Sequence, residues 1–237
     1  GLGGLGLVTA QWMVEHGARH VALVARRPPT AAATAVIARL EAKGARVRTF
    51  QADVVSQSDM ARVLSEVRKE MPLRGIVHAA AHLDDGLLRH LDRQRFDAVI
   101  APKVHGAWNL HNLTVNDRLD FFVMFSSIAS LIGSPGQGNY AAANAFLDAL
   151  AHHRSVLGMP ALSINWGPWS HVGGADRPDR GGRLAQIGFE SITPEQGMNA
   201  LGTLLFQSAP QVAVVPVSWS NVRKAYPSVA QWPLLAR

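Results

Sequence analysis

The chain of 237 residues has no cysteine, only two tyrosines, and few charges for its apolar content. Without cysteine there is no disulfide framework and no thiolate for a zinc site. The same absence fits a reducing compartment, and the expected location is cytoplasmic. No apolar run approaches the ~18 residues of a membrane span, so no membrane association is expected. With 17% charged against 48% hydrophobic residues, the composition excludes a disordered chain. The net charge of +6 comes without any run of five basic residues; the arginines are scattered as pairs and triplets such as Arg26 and Arg27, Arg46 and Arg48, or Arg177, Arg180 and Arg183. No zinc-finger or aromatic RNA-binding signature accompanies them, so nucleic acid is not an expected partner. The ten histidines show no H-E-x-x-H spacing, and no metal is expected. G-x-S-x-G is absent, which weakens an α/β-hydrolase reading. There is neither an initiator methionine nor a signal peptide, and the sequence reads as an excised piece of something longer.

What is present alternates in period. Residues 7–16 have helical spacing, with Val8, Trp12 and Met13 on one face and Gly17 as a stop. The run HVALVA at 20–25 then reads as a strand. Further helices are predicted over about 30–43, 56–70, 93–113 and 139–157, with Ser56 or Ser58 capping the second of these. Strands are predicted near 46–52, 75–79, 120–126, 161–166 and 211–215. This alternation predicts an α/β, doubly wound architecture with a mostly parallel central sheet covered on both faces. The unbroken apolar runs HVALVA and DFFVMF suit strands buried on both sides. Such a sheet begins with a strand feeding a first glycine turn, and this sequence opens inside that turn, so the first strand is expected to be missing from the chain. Residues 1–237 are read as one unit, with a flexible lid region at about 167–190 that is rich in Gly, Pro and charge.

Gly1-Leu2-Gly3-Gly4-Leu5-Gly6 matches G-x-G-x-x-G ahead of a helix. Glycines permit close backbone approach to a pyrophosphate, whose charge a helix N-terminus favours. Arg26 lies 20 positions after Gly6, at a strand end, where a basic residue suits the 2′-phosphate of NADPH and an acidic one the 2′-hydroxyl of NAD. Arg26 and Arg27 also suit a solvated loop pair. Asp53 and Val54 end the next strand, where an adenine would lie, although Asp53 equally suits the approach to a helix N-cap. Ser126 and Ser127 end a buried parallel strand, the place where ligands bind in open α/β sheets. Tyr140 and Asn144, four apart, share one helix face amid small residues. Lys103 alone, after Pro102, is open to a surface reading, as Trp166 is to core packing.

The run GLGGLG, the stretch HAAAHLDDG, Lys103, FSS, GNYAAANAFLDALA and INWGPW together resemble the ketoreductase domain of modular type I polyketide synthases, a branch of the short-chain dehydrogenase/reductases with the Rossmann fold. The resemblance covers nearly all of the chain as the catalytic subdomain. Most short-chain reductases place lysine four after the tyrosine; this family places asparagine there and lysine earlier, and Asn144 with Lys103 fits that exchange. The resemblance implies NADPH-dependent reduction of a β-ketoacyl thioester held by phosphopantetheine on an acyl carrier protein. It implies Tyr140 as proton donor, Lys103 as its electrostatic partner, Ser127 as holder of the carbonyl oxygen, and Asn144 in a polar relay through water. Gly1, Gly3, Leu5, Gly6, Arg26, Asp53, Val54, Ala79, Ala80, Lys103, Tyr140 and Trp166 are the implied cofactor contacts.

Leu83-Asp84-Asp85 resembles the B-type marker of the family. Ile132 stands where an A-type tryptophan would fall, and Ala142 where epimerising B-type domains carry proline. These imply a D-configured hydroxyl without epimerisation. Ala81 departs from the glycine usual near the nicotinamide. Implied partners are the carrier protein and the other domains of a dimeric synthase. The rival readings are a non-reducing domain that has kept the fold, and a fatty-acid β-ketoacyl reductase, against which Asn144 counts.

Overall fold

The computed structural model describes residues 1–172, 188–225 and 227. Six strands alternate with helices. The first half comprises α1 (Gly4–Glu15), β1 (His20–Ala25), α2 (Ala31–Ala42), β2 (Arg46–Gln51), α3 (Gln57–Arg68) and β3 (Gly75–His78). It continues with α4 (Arg93–Leu113), β4 (Phe121–Ser127), α5 (Ala129–Ile132), α6 (Gly138–Val156), β5 (Leu162–Trp166), α7 (Pro194–Leu204), β6 (Gln211–Val214) and α8 (Trp219–Ala225). All strand pairs are parallel, as the unbroken apolar runs require. Along β4, Phe122, Val123, Met124 and Phe125 are each fully or almost fully buried, on both faces of the strand.

The strands form two ladders, β1–β2 and β3–β4–β5–β6. The division falls between β1–β2 on one side and β3 on the other. Gly1 lies at that division, near the Val24 carbonyl of β1 and the His78 ring of β3. Each half has its own packing. Ala10, Val14, Leu23 and Leu40 pack α1 and α2 on β1. Ile76, Phe122, Met124, Ala107, Leu110, Leu147 and Leu150 join the sheet to α4 and α6. On the opposite face, Val123, Ile164 and Trp166 pack against Leu5, Val8 and Trp12 of α1 and Met198 and Leu201 of α7.

Helix starts are set by side-chain caps. Thr30, Ser56, Asp92 and Thr193 each accept from the backbone N–H three residues on, worth about 1 kcal/mol apiece. Ser56, rather than Ser58, is thus the cap of α3. Two boundaries differ from the periodicity. Helix α1 starts at Gly4, not residue 7, because the glycine turn itself supplies the first helical turn. Helix α7 escapes the periodicity, although Thr193-Pro194-Glu195-Gln196 forms a full capping box with proline at the first position. Of the anticipated lid at about 167–190, residues 173–187 lie outside the described residues. Its flanks are tied down by bridges pairing Trp169 with Ile192 and Phe189 with Val217. Among the described residues no helix is long and apolar enough to cross a membrane.

Candidate active site

The glycine turn is folded tightly enough to explain its composition. A side chain at Gly1 would meet the Val24 carbonyl, and one at Gly6 would strike the backbone of Gly1. Gly3, the N-cap of α1, offers no side chain to the helix end, and no acidic residue stands in the first turn. The N–H groups of Gly4, Leu5 and Gly6 therefore have no intrahelical acceptor, and above Gly3 the space is open. Such a helix end fits a diphosphate.

Arg26 follows directly on β1 and is exposed. Asp53 and Val54 occupy the turn after β2. The Asp53 carboxylate accepts from the Val55 N–H at 3.0 Å, and its own N–H donates to Asp59 at 2.9 Å, so part of its role is to shape the turn into α3. Asn109 of α4 donates to the carbonyls of Val54 and Val55 and anchors that turn from below. Ala79 and Ala80 extend β3 towards the same side, half-buried.

The candidate catalytic groups gather where β4 ends. Lys103 is not a surface lysine: α4 buries it to 2% exposure, with Nζ donating to the Phe125 carbonyl at 2.8 Å. Its Nζ stands 5.5 Å from the centre of the Tyr140 ring. Burial pulls the ammonium down to about pKa 7, against which the Asp148 carboxylate acts to raise it. His78, across from it on β3, is pushed down to about 3, first by burial and then by the Lys103 charge. That imidazole is neutral throughout the physiological range, and its Nε2 has no hydrogen-bond partner. Ser127 is half-buried at the strand end, where its Oγ accepts from the Ala129 N–H at 3.2 Å. Asn144 is fully buried one turn beyond Tyr140; its Nδ2 donates to the Tyr140 carbonyl at 2.7 Å, and its Oδ1 is buried without a partner among the described residues. An orphaned buried acceptor costs free energy unless something donates to it, which a water or ligand in the site would do.

The Leu83-Asp84-Asp85 segment lies across the N-terminal end of the tyrosine helix. Arg95 of α4 grips Asp84 with two guanidinium nitrogens, Nε to Oδ2 at 2.9 Å, and this hydrogen bond holds the Asp84 carboxyl below the usual carboxylate range. Arg95 also donates to the carbonyls of Asp85 and His90. Gln137 donates to the Asp85 carboxylate, and Asn139 spans loop and helix: its Nδ2 donates to the Asp84 carbonyl and its Oδ1 accepts from the Tyr140 N–H. Arg95, Gln137 and Asn139 were not among the residues singled out by sequence. Gln137 and Asn139 lie inside the GNYAAAN neighbourhood and were within reach; nothing local marks Arg95, eleven residues from its partner. Trp166 sits on the other face of the sheet, in edge contact with Phe125 and Trp169, its indole N–H buried without a partner.

The KR domain family matches residues 1–171 of the chain. Polyketide synthase GfsB of Streptomyces halstedii is 44% identical over 216 residues, which make up 89% of this chain and 4% of that protein. Among solved structures, an A-type ketoreductase from a modular polyketide synthase superposes with a TM-score of 0.91 at 37% identity, over 94% of this chain and 48% of that one. A short-chain dehydrogenase of Burkholderia cenocepacia J2315, solved in complex with NADP, shares the fold at 19% identity with a TM-score of 0.76, over 90% of this chain and 93% of that one. The chain thus spans about half of the first of these solved structures and a few per cent of the synthase.

Proposed function

We propose, from the premise that the chain belongs to the KR domain family of ketoreductases from modular polyketide synthases, that it reduces the β-ketone of an acyl thioester using NADPH. The thioester is carried on the phosphopantetheine arm of an acyl carrier protein, within a larger, dimeric synthase. Residues 1–237 act as its catalytic subdomain, with the region 167–190 as a lid. The observation that carries this reading is the buried Lys103 ammonium beside the half-buried Tyr140 ring, with buried Asn144 one turn on and Ser127 at the end of β4.

Gly1, Gly3, Leu5 and Gly6 hold the diphosphate at the helix end, and Arg26 takes the 2′-phosphate. Asp53 and Val54 flank the adenine, and Ala79, Ala80 and Trp166 complete the nicotinamide side. When bound, NADPH supplies the hydride that reduces the ketone carbon. Ser127 donates a hydrogen bond to the carbonyl oxygen and fixes its position. Tyr140 gives its hydroxyl proton to that oxygen as negative charge develops. A phenol with a pKa near ~10 is a slow donor near neutrality unless its conjugate base is stabilised, and the adjacent Lys103 ammonium provides that stabilisation. Asn144 Oδ1 accepts from the water that returns a proton to the site.

Stereochemistry rests on side chains rather than on the backbone that superposes with an A-type ketoreductase. Leu83, Asp84 and Asp85, with Ile132 and Ala142 in place of tryptophan and proline, point to a D-configured product without epimerisation. Incubation of the chain with NADPH and a β-ketothioester is expected to consume the NADPH absorbance and yield the D-hydroxyl on chiral chromatography. An L-hydroxyl overturns the type assignment alone; no consumption of NADPH favours a non-reducing domain. Arg26→Asp is expected to lower the kcat/KM preference for NADPH over NADH by about 10- to 100-fold, the loss of a charge-assisted contact to phosphate. An unchanged ratio places the 2′-phosphate elsewhere.

A further inference from the structure

Residues 79–87 lack regular secondary structure, so no ladder of backbone bonds fixes the stretch that carries Leu83, Asp84 and Asp85. One backbone bond among the described residues ties it to the loop before the tyrosine helix, from the Gly86 N–H to the Gly136 carbonyl at 2.8 Å. Side chains do the rest, and on one flank a single guanidinium does it. Arg95 Nε donates to Asp84 Oδ2 at 2.9 Å and Nη2 to Asp84 Oδ1 at 2.5 Å; Nη2 also donates to the Asp85 carbonyl at 2.8 Å and Nη1 to the His90 carbonyl at 2.9 Å. Every nitrogen of the guanidinium is engaged, on acceptors at both ends of the turn. The planar fork meets a carboxylate with two parallel bonds, and charge assistance makes these the stronger kind. With both side chains only 31% exposed, the pair is less screened than an open surface bridge.

The fit is specific in two further ways. A side chain on Gly86 would stand 2.9 Å from Arg95 Nη1 and 3.0 Å from Nη2, so the bare backbone there lets the guanidinium close on its acceptors. The arginine also starts from a fixed point: its N–H donates to the Asp92 carboxylate, the cap of α4, at 2.9 Å. Opposite, α6 and its approach hold the same stretch through Gln137 on the Asp85 carboxylate and Asn139 on the Asp84 carbonyl. Asp84 is thus gripped by its carboxylate from α4 and by its carbonyl from α6. Lys103 lies on the same helix, about 12 Å further along its axis, so α4 seats both the buried ammonium and this grip. We propose that Arg95 is a positioning residue, clamping residues 84–90 against the tyrosine helix and so setting which face of the ketone the site presents. The stereochemical half rests on the reductase reading above; the clamp itself does not. Lysine does not replace Arg95, because one ammonium on a flexible stem lacks the fork that reaches Asp84, Asp85 and His90 together.

Arg95→Lys keeps the charge and loses the fork. In the full chain, followed by NMR, protection of the Gly86 amide against hydrogen exchange is expected to fall by about tenfold or more, while the amide of buried Val99 in the same helix keeps its protection. Reduction of a β-ketothioester by this variant is expected to lower the ratio of D to L hydroxyl by about tenfold, the factor that losing a charge-assisted hydrogen bond commonly gives. KM for NADPH stays within about threefold, which a general fault in the fold would not allow. Because Arg95 acts through Asp84, Asp84→Asn moves the ratio the same way, and combining the two substitutions adds little to either. Unmoved Gly86 protection in folded Arg95→Lys overturns the clamp, and lost protection with an unmoved product ratio overturns the stereochemical role. If Arg95→Lys does not fold, Gly86→Ala carries the test with Arg95 intact, since its methyl pushes the guanidinium off its acceptors. Protection at position 86 and a product ratio equal to those of the unsubstituted chain then overturn the proposal. If the unsubstituted chain does not reduce the ketone, the proposed function falls and the stereochemical role with it, while amide protection still decides the clamp.

Discussion

Tyr140→Phe is expected to lose reduction by ~10²–10⁴-fold, the usual contribution of a positioned proton donor, while NADPH affinity stays within about threefold. The structure separates the hydroxyl from the rest of the residue. Two hydrogen bonds that place Tyr140 within its helix use its backbone: Asn139 accepts from its N–H and Asn144 donates to its carbonyl. The aromatic ring beside Lys103 Nζ survives the change as well. Phenylalanine therefore keeps these backbone bonds and the ring, and removes the hydroxyl proton. Turnover near that of the unsubstituted chain, measured by NADPH consumption beside a cofactor-binding titration, would remove Tyr140 from the chemistry.

Lys103→Met is expected to move activity and stability in opposite directions. Reduction falls by ~10²-fold or more, because the tyrosine loses the charge that favours its ionised form. Stability near neutral pH rises. The lysine pKa is about 7 in the folded chain and ~10.4 when unfolded. Between those values the unfolded chain binds more protons, so stability climbs with pH across the window and is lowest below it. A shift of that size corresponds to a cost of about 4 kcal/mol at pH 7, which methionine avoids. Leaving the Phe125 carbonyl without a donor gives back about 1–3 kcal/mol. The net gain is a Tm higher by roughly 2–8 °C at pH 7, shrinking to nothing or reversing by pH ~10. Thermal melts of both chains across this range check it, and a Tm lowered at neutral pH contradicts the buried-ammonium account.

The elements of the fold were legible wherever apolar periodicity ran long. The runs at 20–25 and 120–126 became β1 and β4 within a residue, and α4 spans the predicted 93–113. Helix α7 escaped because its apolar positions are short and interrupted by glycine, with only its capping box to announce it. The split of the strands into two ladders was not legible, since the alternation of elements predicts one parallel sheet without its order. At the site, sequence spacing placed Tyr140 and Asn144 on one face, and the family resemblance singled out Lys103. Spacing left open whether that lysine was buried, since the packing of α4 against α6 and the sheet settles it. Arg95 and Asp148 bond to partners 11 and 15 residues away, a separation at which no local pattern speaks.

Asn139 is fully buried, with one end of its amide on the Asp84 carbonyl and the other on the Tyr140 N–H. A single planar group thus serves as a rigid tie-bar between the segment bordering the pocket and the first turn of the tyrosine helix. Displacing the segment drags the tyrosine with it. On the reading proposed above, the face from which a ketone is approached and the speed of its reduction are in evolutionary terms not separate traits. Any change of residues 83–85 that shifts the Asp84 carbonyl must also re-seat the first turn of the Tyr140 helix.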